Sequence, residues 1–310
     1  MDNRWSNAEQ LQRFMDLYQR KSRITKRHTK EIWDERAQSW EAGLRCDEER
    51  KKRSDNRIAA AAAFLRSHGL LGADCEAIDI GCGPGRFVAE FAKTAKYVVG
   101  TDLSPKMIDY AAEFAREQGL KNTSFIACDF KQADIDQYGW RERFDLVFMS
   151  ITPAVSNFAG LEKAMSMSRG WCFNGSFLSG HDELLELVSK QVFGREPVPR
   201  WNGRTSYALF NLLWLYGWHP YVTYYTEESK VQYVPDRALA VSLAENLGID
   251  RDDQERIEKI YRFMMEKAEK DGPLEYSFGS EYIWLLWNIN EKADRASYEP
   301  GIMVPEGNEA

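Results

Sequence analysis

The chain has 310 residues, 44% of them hydrophobic, and a formal net charge of −7, enough for one large domain with an appendage. The acidic balance argues against a nucleic-acid partner, because such binders neutralise many phosphates with cations. No run approaches the ~20 apolar residues of a membrane span, the start of the chain is polar with no secretory signal, and scattered cysteines at 46, 75, 82, 128 and 172 without a C-x-x-C spacing predict a reduced, cytoplasmic protein without a metal site.

In chain order, residues 7–40 read as helix, with Leu11, Phe14, Met15 and Tyr18 at helical spacing. Trp33, Ala37 and Trp40 fall on one face of it. The segment Arg20–Lys30 is basic, within a region 1–60 that carries 15 Lys and Arg against 11 Asp and Glu. Its plainest reading is a solvated helix face. Residues 41–56 are charged and predict a flexible joint, so 1–56 reads as a separate helical lid. A helix over 57–67 stops at Gly69.

Strand and helix then alternate, the mark of a parallel sheet. Strands are expected at 76–81, 97–102, 123–128 and 144–149, with a fifth near 171–179. Ser104-Pro105 predicts an N-cap followed by Pro at the first helical position. An apolar helix at 206–217 should lie on the sheet, and a strand begins at Tyr221. Residues 235–271 break the alternation and read as two helices, 236–247 and 252–270. They are expected to pack over the edge of the sheet, ahead of a last strand over 276–287. The tail from Ala296 is expected to be a loose terminus.

The densest chemistry lies in Ala77-Ile-Asp-Ile-Gly81-Cys-Gly83-Pro-Gly85-Arg-Phe87. An apolar strand enters three glycines and then a helix, which brings backbone close to a ligand and presents helix N–H groups to an acidic one. The dinucleotide fingerprint G-x-G-x-x-G would need glycine where Arg86 stands. The run instead resembles the first motif of the class I S-adenosylmethionine-dependent methyltransferases. Three later segments resemble that family in order: Val98-Val-Gly-Thr-Asp102-Leu-Ser-Pro-Lys-Met107, Phe125-Ile-Ala-Cys-Asp129-Phe130, and Phe144-Asp-Leu-Val-Phe-Met-Ser150. Glu31-Ile-Trp33-Asp-Glu-Arg-Ala37 resembles a W-D-x-x-A helix that covers the cofactor in many members.

The resemblance implies an α/β fold, a Rossmann-like seven-stranded mostly parallel sheet with helices on both faces, an N-terminal helical cap and an inserted helical pair. The implied domains are 1–56 as lid, 57–295 as the methyltransferase domain with 235–271 as substrate cap, and 296–310 as tail. It implies S-adenosylmethionine as cofactor, with Gly81, Cys82, Gly83 and Gly85 beneath its methionine part. Asp102 would accept the ribose hydroxyls, Leu103 and Met107 would flank the adenine, and Asp129 and Phe130 would meet its polar edge. Ser150 would stand near the methyl group, and Trp33 would close the site. Asp79, inside the first strand, is expected to be buried and hydrogen-bonded.

The fourth strand ends Ser150-Ile-Thr-Pro153, not the N/D-P-P-Y/F tetrad of members that methylate nucleobases or glutamine amides. A small-molecule acceptor is therefore expected, with a protein or RNA acceptor, or a non-catalytic cofactor-binding protein, as alternatives. His181, after the fifth strand, is the candidate base or acceptor contact, since pockets open at the carboxyl ends of strands.

Overall fold

The structure, a computed structural model, describes residues 7–19, 29–197 and 203–293. Its centre is the expected Rossmann-like sheet, in the order β3-β2-β1-β4-β5-β7-β6. The strands are β1 (Glu76–Ile80), β2 (Tyr97–Asp102), β3 (Thr123–Ala127), β4 (Phe144–Ser150), β5 (Ser168–Asp182), β6 (Tyr221–Tyr233) and β7 (Leu274–Asn288). β7 pairs antiparallel with both neighbours, while β1 to β5 run parallel.

Ala77, Ile78, Asp79 and Ile80 in β1 are all buried, as a central parallel strand covered on both faces requires. Side chains alternate between two cores. Ile78, Ile80, Val147 and Met149 pack on one face with α6 (Phe158–Met165) and α8 (Arg204–Leu215). Ala77, Leu146 and Phe148 face α3 (Glu48–Ser67) and α4 (Arg86–Ala92), with Phe148 stacked on Phe173 at 4.5 Å. The apolar helix expected at 206–217 is α8, and its Leu209, Leu212 and Leu213 lie in the first of these cores.

The predicted helix 7–40 holds α1 (Asn7–Gln19) and α2 (Lys30–Cys46). Most of the basic stretch, Arg20 to His28, lies outside the described residues, as does the tail from Ala296. α1 packs against α8, with the Phe14 and Tyr207 rings edge to face at 5.7 Å. α2 packs instead against α3 and α5 (Pro105–Glu117).

The flexible joint predicted over 41–56 is helical. α2 runs to Cys46 and α3 starts at Glu48, with Asp47 between them accepting from Arg50 N at 2.9 Å as the N-cap of α3. Charge does not break this helix, because its charged residues pair along an exposed face, as Lys51 does with Asp55 at 2.7 Å. α3 thus passes through residue 56 without a break.

Three strands outrun the rest. Ser150, the last residue of β4, pairs with Gly175, yet β5 continues to Asp182 alongside Phe278 of β7. β6 keeps pace from Tyr221 to Tyr233. The fifth strand is therefore longer than the predicted 171–179, and His181 and Asp182 lie within it. The extension forms an arm projecting beyond the carboxyl ends of β1 and β4. α7 (Glu183–Phe193), which the sequence reading did not anticipate, follows β5. α9 (Arg237–Asn246) and α10 (Gln254–Asp271) fill the β6–β7 connection. They are the expected insertion into the β6–β7 hairpin, placed at its turn, and they leave its pairing unbroken from Tyr221↔Leu286 to Tyr233↔Leu274. They meet the sheet at the far end of the edge hairpin, where Leu274 of β7 and Tyr233 of β6 join their core. Leu184 and Val188 of α7, Leu243 of α9, and Ile257, Ile260 and Met264 of α10 form a third core. An amphipathic helix buries its apolar stripe where apolar surface is offered, and α7 offers it.

Candidate active site

The glycine loop leaves β1 with φ of 79° at Gly81, 53° at Gly83 and 71° at Gly85. Gly81 N and Cys82 N donate to Thr101 O at 2.7 and 2.8 Å, fastening the loop to β2. The three glycines serve different ends. A Cβ at Gly81 would collide with Thr152 Oγ1, and one at Gly85 would lie 2.7 Å from Ala111 Cβ, so both allow close packing. A Cβ at Gly83 would meet nothing within 4 Å. Gly83 is where the loop opens onto space for a ligand. Cys82 is buried, with Sγ against Gly100, and burial raises its thiol pKa.

Asp102, at the end of β2, receives Gly83 N on Oδ2 and Ser104 N on Oδ1, each at 2.9 Å. Burial raises its pKa, and the N–H donors oppose that shift. Each carboxylate oxygen retains a second acceptor site. Ser104 is fully buried and caps α5, its Oγ accepting from Met107 N at 3.2 Å. The same hydroxyl donates to Asp34 Oδ1 of α2 at 2.5 Å. That bond, and then Lys30, hold the Asp34 carboxyl below its ordinary pKa.

Asp79 lies within β1, 2% exposed, and its Oδ2 has no hydrogen-bond partner among the described residues. Burial pushes this carboxyl well above the usual carboxylate range, and the charge of Asp102 adds to the shift. Buried polar atoms are almost always paired, so a lone carboxylate oxygen beneath the glycine loop suits an incoming donor or cation. The sequence reading expected it paired within the protein.

Leu103 is half-buried and Met107 is buried at the start of α5. Asp129 is exposed and accepts from Lys131 N at 3.0 Å, a turn contact that leaves its other oxygen outward. Phe130 is buried, with Lys163 Nζ 5.4 Å over its ring. Ser150 ends β4 beside Gly175. Trp33 is half-buried on α2, its ring 6.4 Å from that of Trp40, with Arg36 at 5.3 Å.

His181 is not brought to this loop. It lies on β5 six residues past Gly175, the partner of Ser150, or about 20 Å at the rise of a strand. It sits on the arm, its ring against Gly279.

The sequence reading missed four residues. Asp34 stood inside the quoted W-D-x-x-A segment, next to the residue it singled out. Glu41 forms a buried ion pair with Arg86 at 3.0 Å. Ile151, one residue past β4, has φ of 52° and is 36% exposed. A β-branched residue there is strained, and such strain gathers at functional sites. Its N–H donates to Gly175 O at 2.8 Å, and Thr152 then packs on Gly81. No local signal marks a positive φ at isoleucine.

Residues 71–180 match a family model described as a methyltransferase domain. Over 79 residues, 25% of this chain, it is 38% identical to the 23S rRNA (uracil(1939)-C(5))-methyltransferase of Aeromonas hydrophila, covering 18% of that protein. The chain thus spans about a fifth of the length of the curated relatives it matches. Among solved structures, magnesium protoporphyrin IX methyltransferase from Synechocystis, with bound S-adenosylhomocysteine, is 14% identical with a TM-score of 0.47, over 82% of this chain and 96% of that one. A methyltransferase from Thiobacillus denitrificans in complex with S-adenosylhomocysteine is 17% identical with a TM-score of 0.42, over 74% and 90%.

Proposed function

We propose that this chain, whose residues 71–180 match a methyltransferase domain, is a class I S-adenosylmethionine-dependent methyltransferase that transfers the methyl group to a small-molecule acceptor. The observation that carries the cofactor is the open face of Gly83, flanked by the lone Asp79 oxygen and the Asp102 carboxylate. These groups match the cofactor's chemistry. Gly81, Cys82, Gly83 and Gly85 form the cradle for the methionine part, and Asp79 faces its ammonium. Asp102 accepts the ribose hydroxyls on its remaining lone pairs, a charge-assisted contact. Leu103 and Met107 flank the adenine, Asp129 and Phe130 meet its edge, and Trp33 on α2 covers it.

The bound cofactor supplies an activated methyl on a sulfonium: the S–C bond breaks as the acceptor atom attacks from behind, and its electron pair remains on sulfur. The protein's task is alignment and exclusion of water. Ser150, at the end of β4, with Ile151 and Thr152 just after it, lies beside the loop and forms the wall the acceptor approaches. The arm of β5, β7 and β6, with α7, α9 and α10, stands beyond that wall and closes the acceptor space on our reading. A space closed by α2 on one side and the arm on the other fits a metabolite better than a polymer.

The acidic chain and the Ser-Ile-Thr-Pro end of β4 support a small molecule over RNA. The RNA reading draws on the matched rRNA methyltransferases, over a fifth of their length. No helix among the described residues is long and apolar enough to cross a membrane. The thiols of Cys75, Cys82, Cys128 and Cys172 are free, which fits the reducing cytoplasm as its setting. The test is incubation with methyl-labelled S-adenosylmethionine and a fractionated cell extract. Label in a small-molecule fraction is expected. Label confined to RNA or protein overturns the acceptor class, and failure to bind S-adenosylhomocysteine overturns the whole reading.

A further inference from the structure

α2 is fastened to the cofactor site at two points, and each lies directly beside a cofactor-contacting segment. Asp34 holds Ser104, two residues after Asp102. Glu41 holds Arg86, the residue after Gly85. We propose that Asp34 is a positioning residue for cofactor binding, acting through Ser104 on Asp102, and that α2 is a standing wall of the ribose site. The inference rests on the role of Asp102 proposed above.

The Ser104 hydroxyl has a single proton. Ser104 Oγ must keep a lone pair toward Met107 N to cap α5, so its one proton has to point elsewhere. Asp34 Oδ1, at 2.5 Å, takes that proton and fixes the side-chain rotamer. The backbone of the same residue sends its N–H to Asp102 Oδ1. The other Asp102 oxygen is fixed by Gly83 N. Asp102 therefore presents its free lone pairs in a direction set jointly by the glycine loop and by α2. Asp34 is itself held by Lys30 at 2.9 Å, one turn earlier. The two links, at positions 34 and 41, lie two turns apart, on one face of α2. That face meets α5, which follows β2, and the start of α4, which follows the loop.

A role confined to packing would weaken every ligand alike. A role exerted through Asp102 falls on the ribose hydroxyls. The test is calorimetry with two probes, S-adenosylhomocysteine and its 2′,3′-dideoxy analogue, on the full chain. Wild type is expected to prefer the hydroxylated ligand. Asp34→Ala is expected to bind S-adenosylhomocysteine about fivefold more weakly, the scale of one hydrogen bond, and to bind the 2′,3′-dideoxy analogue as wild type does. Asp34→Asn keeps an acceptor for the Ser104 proton and should recover most of the loss. The ligand-free melting temperature of each variant separates this effect from unfolding. If wild type does not distinguish the two ligands, the ribose role of Asp102 fails and the inference falls with it. If wild type does distinguish them, while Asp34→Ala binds both as wild type does or loses both equally, the inference alone is overturned.

Discussion

Arg86 and Glu41 form a buried ion pair at 3.0 Å, with side chains 13% and 5% exposed, and the Arg86 guanidinium lies 3.7 Å over the Phe114 ring. In the sequence Arg86 counted only as the missing third glycine of a dinucleotide fingerprint. Folded, it joins α2, α4 and α5 at the end of the glycine loop.

Removing one partner should be costly, because the other charge stays buried. Glu41→Ala is expected to destabilise the protein by about 3 kcal/mol. The decrease should appear in denaturant titration, and a change within experimental error would show that the pair is solvated.

The glycines should separate folding from binding. Gly85→Ala drives a Cβ toward Ala111 at 2.7 Å and should lower the melting temperature markedly. Gly83→Val meets open space, so its cost is the strain of φ 53°, of order 1–2 kcal/mol. It should fold and fail to bind S-adenosylhomocysteine. Normal binding by folded Gly83→Val would remove the loop from the cofactor site.

Asp79 gives a pH signature. Its pKa is raised in the folded state. The stability it confers is full below the unfolded value of about 4 and is lost as pH rises through the raised value. Asp79→Asn should therefore melt higher than wild type at pH 7, with a gap that widens from pH 4 upward. A cationic ammonium beside Asp79 would favour its ionised form. Binding of S-adenosylhomocysteine should then release a proton from wild type, but not from Asp79→Asn. Calorimetry in two buffers of different ionisation enthalpy would detect it; equal apparent enthalpies in wild type would contradict the assignment.

The arm has its own core and should loosen on its own. Ile260→Ala empties a fully buried position among α7, α9 and α10, at a cost of about 2–4 kcal/mol. Hydrogen exchange should quicken in α7, α9 and α10, with S-adenosylhomocysteine affinity unchanged. Weakened cofactor binding would show that the arm also shapes the cofactor site.

What could be read without the structure was local. The strand-glycine-helix run at 77–87, the acid ending β2 and the Ser104 cap each depend on residues adjacent in sequence, and all stand where expected. Asp102 illustrates the limit. Its position was legible, but its two backbone donors, from Gly83 and Ser104, were not.

Periodicity and glycine spacing act over a few residues, so the local strand and helix units, the glycine-loop motif and the two helices before the last strand are legible in the chain alone. Tertiary structure decided how far each strand extends and what each helix covers. β5 outruns β4 only because β7 supplies its partners beyond Gly175 and is itself backed by β6, and that register carries His181 away from the glycine loop. α9 and α10 pack on α7 because α7 stands at the end of that extension with an apolar face to bury. The charged stretch at 41–56 could be loop or solvated helix on composition alone. α2 and α3 settle as helices because their inner faces bury Ala37, Ile58, Ala61 and Leu65, and burial of apolar surface outweighs local preference.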